Sequence, residues 1–182
     1  MELSPTAKVV LGLVALGDRT GYEIKQTVER STTFFWGASY GQIYPELERL
    51  ERAGLLVSEQ RGPRRRREFQ VTPAGEQALR EWLSSRDPLS FSTRDEGLLK
   101  LFFADLVDDE QRLANVHQIV EQNEQALAFF RTIQATGSTA EALVYGIDFV
   151  EWNLDWWRRY ERRLRARARK RRQSGTSAPA RR

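Results

Sequence analysis

The sequence predicts a mostly α-helical protein with one small β-hairpin: an N-terminal domain of helices and hairpin, then an antiparallel, coiled-coil-like helical region. Helical periodicity covers most of the 182 residues, and the period changes to two only around residues 55–72. In the second half, apolar residues recur at alternating spacings of three and four, which indicates paired helices. We expect a first domain over 1–85, a linker over 86–93, a dimerisation and effector domain over 94–165, and a basic, disordered tail over 166–182.

The composition excludes several classes of site. The chain has no cysteine, so it offers no disulfide, thiolate metal site or cysteine nucleophile. Its one histidine, His117, leaves little for zinc chemistry or a histidine relay, and we interpret it as an inert surface residue rather than a pH sensor. No apolar run approaches the roughly 20 residues of a membrane span, and the N-terminus lacks a secretory pattern. These observations predict a cytoplasmic protein that is not an enzyme and that needs no metal or cofactor.

Capping signals define the first two helices. Ser4 and Pro5 open a helix that Gly17 ends, and Gly21 starts a second one. The aromatic cluster at 34–36 is too bulky for a free loop, and we interpret it as a plug beneath the next helix.

The third helix is predicted to run from Ser39, with a capping-box partner at Gln42, to Gly54. Turning 100° per residue separates an aliphatic side from a polar side. The aliphatic side carries Ile43, Leu47 and Leu50. The opposite side carries Gly41, Pro45, Glu48 and Arg52, flanked by Gln42, Tyr44 and Arg49. This helix therefore buries one side and presents a polar, aromatic surface to water.

A hairpin and a fourth helix complete the first domain. Residues 55–61 and 67–72 alternate like strands, and the Gly-Pro pair at 62–63 predicts a turn between them. Four consecutive arginines lie at or just after this turn: Arg64, Arg65, Arg66 and Arg67. Thr72 then caps the fourth helix.

The second half is helical by pattern, with Thr93, Asp108 and Ser138 as the predicted caps of a short, a long and a last helix. The seam residues that we assign to dimerisation are Leu113, Val116, Val120, Leu127, Phe130, Leu143, Val150, Leu154 and Trp157. Asn123 interrupts this seam, either because it sets the helical register or because it faces water. The last helix carries a second apolar stripe, formed by Tyr145, Phe149, Trp152, Trp156 and Tyr160. A helix with two apolar stripes needs two partners, and a hairpin supplies only one, so we predict a second copy of the chain.

Three helices followed by a two-stranded hairpin form the winged version of the helix-turn-helix. The exposed N-terminal part of such a third helix fits the major groove of duplex DNA, where side chains meet base edges. An arginine-rich wing beside it reaches phosphates or the minor groove. The sequence therefore predicts a DNA-binding domain.

Charge is distributed unevenly along the rest of the chain. Residues 86–157 hold 5 basic and 13 acidic side chains, whereas residues 158–182 hold 12 basic and 1 acidic. The basic end either adds non-specific affinity for DNA or pairs with the acidic region of the protein.

Several motifs resemble one known family. The segments are Gly21-Tyr22-Glu23-Ile24, Trp36, GQIYPELERLERAGLL at 41–56 and TPAGEQALREWL at 72–83, and together they resemble the PadR family of bacterial transcriptional regulators. The resemblance is close over residues 4–85 and looser over the second half, which is similar to the helical dimerisation region of larger PadR-type and virulence-activator members. It implies a homodimer that binds an inverted-repeat operator. It also implies a repressor that a phenolic or drug-like molecule releases from DNA.

The resemblance places the recognition helix at 39–53 and the wing at 61–68. The candidate DNA contacts are Ser39, Tyr40, Gln42, Tyr44, Glu48, Arg49, Arg64, Arg65, Arg66 and Arg67. The basic-basic-Tyr-Tyr run of the family's wing appears here as Arg66-Arg67-Glu68-Phe69, which keeps positive charge but changes the detailed contacts.

Other interpretations remain open at this point. Phe149, Trp152 and Trp156 are the candidate walls of an effector site, because their aromatic faces suit an aromatic ligand; the alternative is that they are plain dimer core. The protein is either a repressor or an activator of the same fold, and a further alternative is a winged-helix module that binds protein.

Overall fold

The computed structural model describes residues 3–32, 40–61, 66–89 and 95–175. The chain separates into two compact units, residues 1–90 and 91–182. Several sequence predictions concern residues outside the described ranges: the aromatic cluster at 34–36, Ser39, Arg64, Arg65, Thr93 and the end of the tail, 176–182.

The described part of the N-terminal unit has four α-helices and a hairpin. Its elements are α1 (Pro5–Leu16), α2 (Gly21–Thr27) with a π-helical turn (Val28–Thr32), α3 (Tyr40–Arg52), β1 (Leu56–Arg61), β2 (Arg66–Val71) and α4 (Pro73–Ser84). The strands pair antiparallel, from Leu56 opposite Val71 to Arg61 opposite Arg66. The predicted hairpin is therefore confirmed: β1 begins one residue later than predicted, and β2 begins and ends one residue earlier.

Local caps set the helix limits, as predicted. The Ser4 hydroxyl accepts a hydrogen bond from the Ala7 backbone amide at 3.0 Å, and Gly17 ends α1 in the left-handed region at φ 117°. In α2 the cap is Thr20, one residue before the predicted start, and it exchanges side-chain and backbone bonds with Glu23 as a capping box.

The core of the N-terminal unit lies between α1, α2, α3 and the base of the hairpin. Its best buried side chains are Leu11, Val10, Ile24, Val28, Ile43, Leu47, Leu50 and Leu56. All three residues of the predicted aliphatic side of α3 are in this set, so the orientation of α3 is confirmed. Each deeply buried leucine or isoleucine contributes about 1.5–3 kcal/mol of transfer free energy.

The described part of the C-terminal unit is entirely helical. It contains α5 (Glu96–Phe102), a 3-10 turn (Ala104–Leu106), α6 (Asp109–Phe130) and α7 (Ser138–Gly175). The cap of α6 is Asp108, as predicted. The cap of α5 is Asp95, whose carboxylate accepts from the Leu98 amide at 2.9 Å.

Two predicted limits of α7 were wrong. Ser138 is its first helical residue rather than its cap, because the Gly137 carbonyl accepts the backbone bonds of Ala140 and Glu141. The helix also continues to Gly175, ten residues past the predicted boundary at 165. Arginine, lysine and alanine are good helix formers, so apolar content alone was a poor guide to where this helix ends.

The seam residues assigned to dimerisation lie inside one chain. Leu113, Phe130 and Leu143 are partly buried, whereas Val116, Val120, Leu127, Val150, Leu154 and Trp157 are buried in the pair that α6 forms with α7. Since antiparallel helices joined by a short turn satisfy their own seam, these residues form the interior of the chain's helical hairpin. Asn123 donates to the Ile119 carbonyl of its own helix at 2.8 Å.

Candidate nucleic-acid interface

The outer side of α3 exposes the predicted polar surface. Gln42 and Glu48 are exposed, and Tyr44 keeps 47% of its surface accessible. Tyr40 begins the helix. The buried aliphatic side fixes the rotation of α3, so Glu48 lies on the exposed side and Gln42 and Tyr44 lie on its two flanks.

A groove of about 290 Å³ lies beside this face. It is lined by Thr20, Gly21, Tyr22, Tyr44, Leu47, Glu48, Arg66, Arg67 and Phe69. The groove thus joins the N-terminus of α2, the outer face of α3 and strand β2. It brings together four of the predicted DNA contacts, from two elements that are separate in sequence.

Gly21 allows Tyr44 to lie against α2. A Cβ atom at position 21 would stand 2.7 Å from both Cε1 and Cζ of Tyr44, closer than a side chain tolerates. Tyr22, beside it, is 55% exposed and accepts a hydrogen bond from Gln26 at 2.7 Å. The sequence identified Gly21 as the start of a helix, and Gly21 and Tyr22 as part of a family motif. Their place in the groove was not predicted, since periodicity carries no information on contacts between distant residues.

Arg49 is partly exposed and is paired with a carboxylate of its own helix. Its guanidinium donates to the Glu46 carboxylate at 2.6 and 3.1 Å, and Ser4 donates to the same carboxylate at 2.9 Å. The bonds from Arg49, opposed by burial and aided by Ser4, hold the pKa of Glu46 below its usual range. Glu46 thus joins α3 to the cap of α1, with Arg49 as the ion-pair partner that holds its carboxylate, and the DNA contact of Arg49 stays a prediction.

The wing strand is attached to α3 through Glu51. Ser58 on β1 donates to the Glu51 carboxylate at 2.6 Å. Arg67 on β2 donates to the Ser58 hydroxyl at 2.9 Å and forms an ion pair with Glu51. Arg67 is therefore fixed in orientation, while Arg66 is exposed at the end of the strand.

Glu23 fixes the backbone that precedes α2, to which the same strand is bonded. Its carboxylate accepts from the backbone amides of Arg19 and Thr20, both at 2.9 Å. These bonds, chiefly that from Arg19, keep the pKa of Glu23 low, and the nearby charge of Arg66 adds to the effect. Strand β2 also donates from the Phe69 amide to the Arg19 carbonyl at 2.7 Å.

The candidate effector residues lie along α7. Phe149 and Trp152 are 40% and 57% exposed, with ring centres 6.1 Å apart. Trp156 is half-buried and stacks on Tyr160 at 5.6 Å. A void of about 10 Å³ between α5, α6 and α7 is lined by Trp157 and Tyr160 but not by Phe149, Trp152 or Trp156. Phe149 and Trp152 thus belong to an exposed surface of the single chain.

The described ranges offer neither of two other classes of site. They contain no cluster of three side chains suited to hold a metal ion. None of their helices is long and apolar enough to cross a membrane.

Comparison with known proteins assigns both halves of the chain. Residues 10–81 match the transcriptional regulator PadR-like family, and residues 93–165 match the virulence activator alpha C-term family. The negative transcriptional regulator PadR of Bacillus subtilis is 32% identical over 97 residues, which are 52% of this chain and 53% of that protein. The chain thus aligns with about half the length of this curated relative.

Solved structures share the fold across most of the chain. BC1756, a PadR-like regulator from Bacillus cereus, has a TM-score of 0.77 at 23% identity, covering 90% of this chain and 99% of that one. Bacillus subtilis PadR in complex with operator DNA has a TM-score of 0.74 at 20% identity, covering 86% and 97%. The same protein in complex with p-coumaric acid has a TM-score of 0.70 at 19% identity, covering 88% and 99%.

A further structure of this fold is the virulence activator AphA of Vibrio cholerae, with a TM-score of 0.66 at 23% identity, covering 90% of this chain and 99% of that one. Residues 10–81 are therefore a PadR-like transcriptional regulator domain and residues 93–165 a virulence activator alpha C-term region; the chain shares its fold with these solved regulators, and its named relatives are transcriptional regulators rather than enzymes.

Proposed function

We propose that the protein is a sequence-specific DNA-binding repressor that acts as a homodimer on an inverted-repeat operator. The observation that carries this proposal is the exposed polar face of α3, set beside a groove whose other wall is the basic strand β2. A bacterial cytoplasm is the compartment in which such a regulator would meet its operator.

The side chains of this face have the chemistry of base reading. An amide such as that of Gln42 makes paired hydrogen bonds with adenine, and a carboxylate such as that of Glu48 accepts from the amino group of cytosine. Tyr44, which lines the groove together with Glu48 and Arg66, adds a hydroxyl that can donate or accept. Arg66 supplies positive charge for a phosphate, and Ser39, Tyr40, Arg64 and Arg65 remain in the proposed set from the family resemblance.

A second copy of the chain is supported by the apolar surface of α7. Tyr145, Phe149 and Trp152 are 66%, 40% and 57% exposed although they are aromatic and follow one stripe of the helix. Contiguous apolar surfaces of this kind mark protein contacts. The proposed dimer contact is therefore the second stripe rather than the seam, which the chain buries itself.

Two-fold symmetry gives the mechanism of operator recognition. Two copies of α3 enter successive major grooves only if they lie about 34 Å apart. We propose that a small aromatic effector bound by Phe149, Trp152 and Trp156 changes this separation and releases the DNA. Its affinity must differ between the two arrangements of the dimer, because otherwise the equilibrium does not move. The complex of Bacillus subtilis PadR with p-coumaric acid supports an effector of this chemistry.

An activator of the same architecture is the second candidate. It is favoured by the likeness to AphA, which is described as a virulence activator. The same DNA contacts serve both functions, and the position of the operator relative to the promoter separates them. A winged-helix module that binds protein is less well supported, since the exposed face is polar and lies beside arginines.

Capture of genomic DNA by the purified protein, followed by binding assays on the recovered site, tests the proposal. We expect an inverted repeat with half-sites about one helical turn apart. Tyr44→Ala should lower the ratio of the affinity for the operator to the affinity for random duplex. Exchange of Arg64, Arg65 and Arg66 for glutamine should weaken binding to all duplexes alike and flatten the salt dependence. A single unrepeated half-site would contradict the dimer, and unchanged affinity in both variants would contradict the site.

A further inference from the structure

Helix α7 continues well beyond the part of it that is packed. Leu164, 3% exposed, is the last buried residue of its seam. The segment Arg165–Gly175, here called the basic extension, is helical as well. Six of its eleven residues are arginine or lysine, none is acidic, and its only apolar side chains are two alanines. Packing against the chain therefore does not explain why this segment is a helix.

Ion pairs inside the chain use only part of the positive charge on α7. Arg158 pairs with Glu124 at 2.6 Å, and Arg165 pairs with Glu161 at 2.6 Å. Across the residues that the structure describes, Arg162, Arg167 and Arg169 have no carboxylate partner. All three are exposed.

Four carboxylates on the two long helices are already paired inside the chain. Glu151 accepts from Arg131 at 2.7 Å, and Asp155 forms an ion pair with Arg159 on its own helix. With Glu124 and Glu161 also taken, this part of the chain's acidic surface is a poor partner for the basic extension. The surplus positive charge is directed to solvent.

The charge pattern works against an isolated helix. Short helical ends without a buried face are marginal in water, and like charges four residues apart, such as Arg165 and Arg169, repel each other. The helix dipole favours basic residues only within the last turn, whereas these arginines extend over about three turns. A partner that carries regularly spaced negative charges would remove the repulsion and stabilise the helix.

We propose that the basic extension, together with Arg158 and Arg162, binds the phosphate backbone of duplex DNA without reading its sequence. Arg158, Arg162, Arg165 and Arg169 recur at spacings of four, three and four, so they follow one face of α7 over about 16 Å. That length spans several phosphates of one strand at roughly 3.4 Å of axis each. The charge pattern by itself supports a helix that binds a polyanion. The choice of DNA as that polyanion rests on the proposed function.

The test compares the full-length protein with a variant in which Arg162, Arg165, Arg167 and Arg169 are changed to glutamine, which keeps helix propensity. Binding to an operator-free duplex is measured by fluorescence anisotropy between 50 and 200 mM salt. Each lost phosphate contact lowers the slope of log affinity against log salt by about 0.9. We therefore expect the slope of the glutamine variant to be lower by about two to four. A matched variant with lysine at the same positions should keep the slope, and duplex should protect the amides of 165–170 from hydrogen exchange in the unmodified protein.

The outcomes separate this proposal from the proposed function. A lower salt slope in the glutamine variant supports DNA binding by the basic extension even if no operator is found. An operator preference that persists in the glutamine variant with an unchanged slope overturns it. So does tighter duplex binding by the glutamine variant at low salt, because the extension would then be pairing with the protein's own acidic surface. A loss confined to single-stranded RNA or to phosphatidylserine vesicles also overturns it, since the partner would not be duplex DNA.

Discussion

Tyr44 shows how a single glycine places a candidate DNA-contacting side chain. The ring lies where a Cβ on Gly21 would stand, and it is nearly half exposed. A methyl group there displaces the ring rather than the backbone, because the contacting atoms are at the far end of the tyrosine side chain. Gly21 thus acts on the surface of α3 from the first residue of α2.

We expect Gly21→Ala to lower operator affinity about tenfold while the protein stays folded, since alanine at a helical position is more favourable than glycine by about 0.5–1 kcal/mol. Operator titrations and thermal unfolding measure the two effects. Gly12→Ala is the matched control, because a Cβ at position 12 meets nothing within 4 Å. In a Tyr44→Ala background Gly21→Ala should have no further effect on binding; an additive loss would show that the glycine does not act through Tyr44.

The carboxylate of Glu48 differs from its neighbours on α3. Glu46 and Glu51 are each bonded to other elements, whereas the Glu48 side chain has no partner among the described residues. An unpaired carboxylate on a DNA-facing surface repels phosphates. It is tolerated only where it accepts a hydrogen bond from a base amino group that offsets this repulsion.

We expect Glu48→Gln to bind random duplex several-fold more tightly and to lose discrimination at one base pair of each half-site. Selection from operators with randomised half-sites, together with anisotropy on random duplex, measures both changes. Glu76→Gln, an exposed change on α4 outside the groove, should alter neither the affinity for random duplex nor the discrimination between base pairs. Equal selectivity in the Glu48→Gln variant and the unmodified protein would exclude Glu48 from base reading.

At the scale of elements, the bonds among Ser4, Glu46 and Arg49 hold α3 against α1. Because the pKa of Glu46 is lowered in the folded state, its contribution to stability is present above its unfolded value near 4.5 and is lost as the pH falls through the lower folded value. Acid therefore loosens the support of the recognition helix first at this junction.

Glu46→Gln should lower the free energy of unfolding by about 1 kcal/mol at neutral pH, and the difference from the unmodified protein should shrink below pH 4.5. Urea unfolding at pH 7 and at pH 3.5 measures this. Glu48→Gln on the same helix should leave the free energy of unfolding unchanged at both pH values. A deficit for Glu46→Gln that is as large in acid as at neutral pH would assign the loss to packing instead.

Elements limited by local signals were predictable, and elements limited by distant contacts were not. Ser4, Gly17, Thr72 and Asp108 act within one helical turn, so α1, α4 and α6 begin or end where expected. The rotation of α3 followed from its aliphatic spacing, which is why Gln42, Tyr44 and Glu48 were found together.

The rest of the site depends on pairings that no short window contains. The internal role of Arg49 requires Ser4 and Glu46 to meet, and the fixed position of Arg67 requires Glu51 and Ser58. The positions of the two arginines on the predicted face and wing made them candidate DNA contacts, but those patterns do not reveal these internal bonds. The length of α7 was missed for a related reason, since its last turns lack the apolar residues that periodicity detects.

At the scale of the whole molecule, the exposed stripe of α7 predicts how the chain assembles. Trp152→Ser should weaken self-association at least tenfold, because a tryptophan at the centre of a contact commonly contributes 2 kcal/mol or more. Val144→Ser is the matched control, since Val144 is also 57% exposed but lies off the stripe. Sedimentation equilibrium measures both; dissociation of the two variants to the same extent would place the contact elsewhere on the helix.

The base of the hairpin is closed independently of its tip. The Thr72 hydroxyl donates to the Gly54 carbonyl at 2.6 Å, and the Thr72 amide donates to the Leu55 carbonyl at 3.1 Å. Gly75 lies so close that a Cβ there would stand 2.2 Å from the same Leu55 oxygen. Insertions or deletions between the strands therefore leave the packing of the helices below them unchanged. Related regulators can thus vary the length of this loop over evolution while the domain that carries it is conserved.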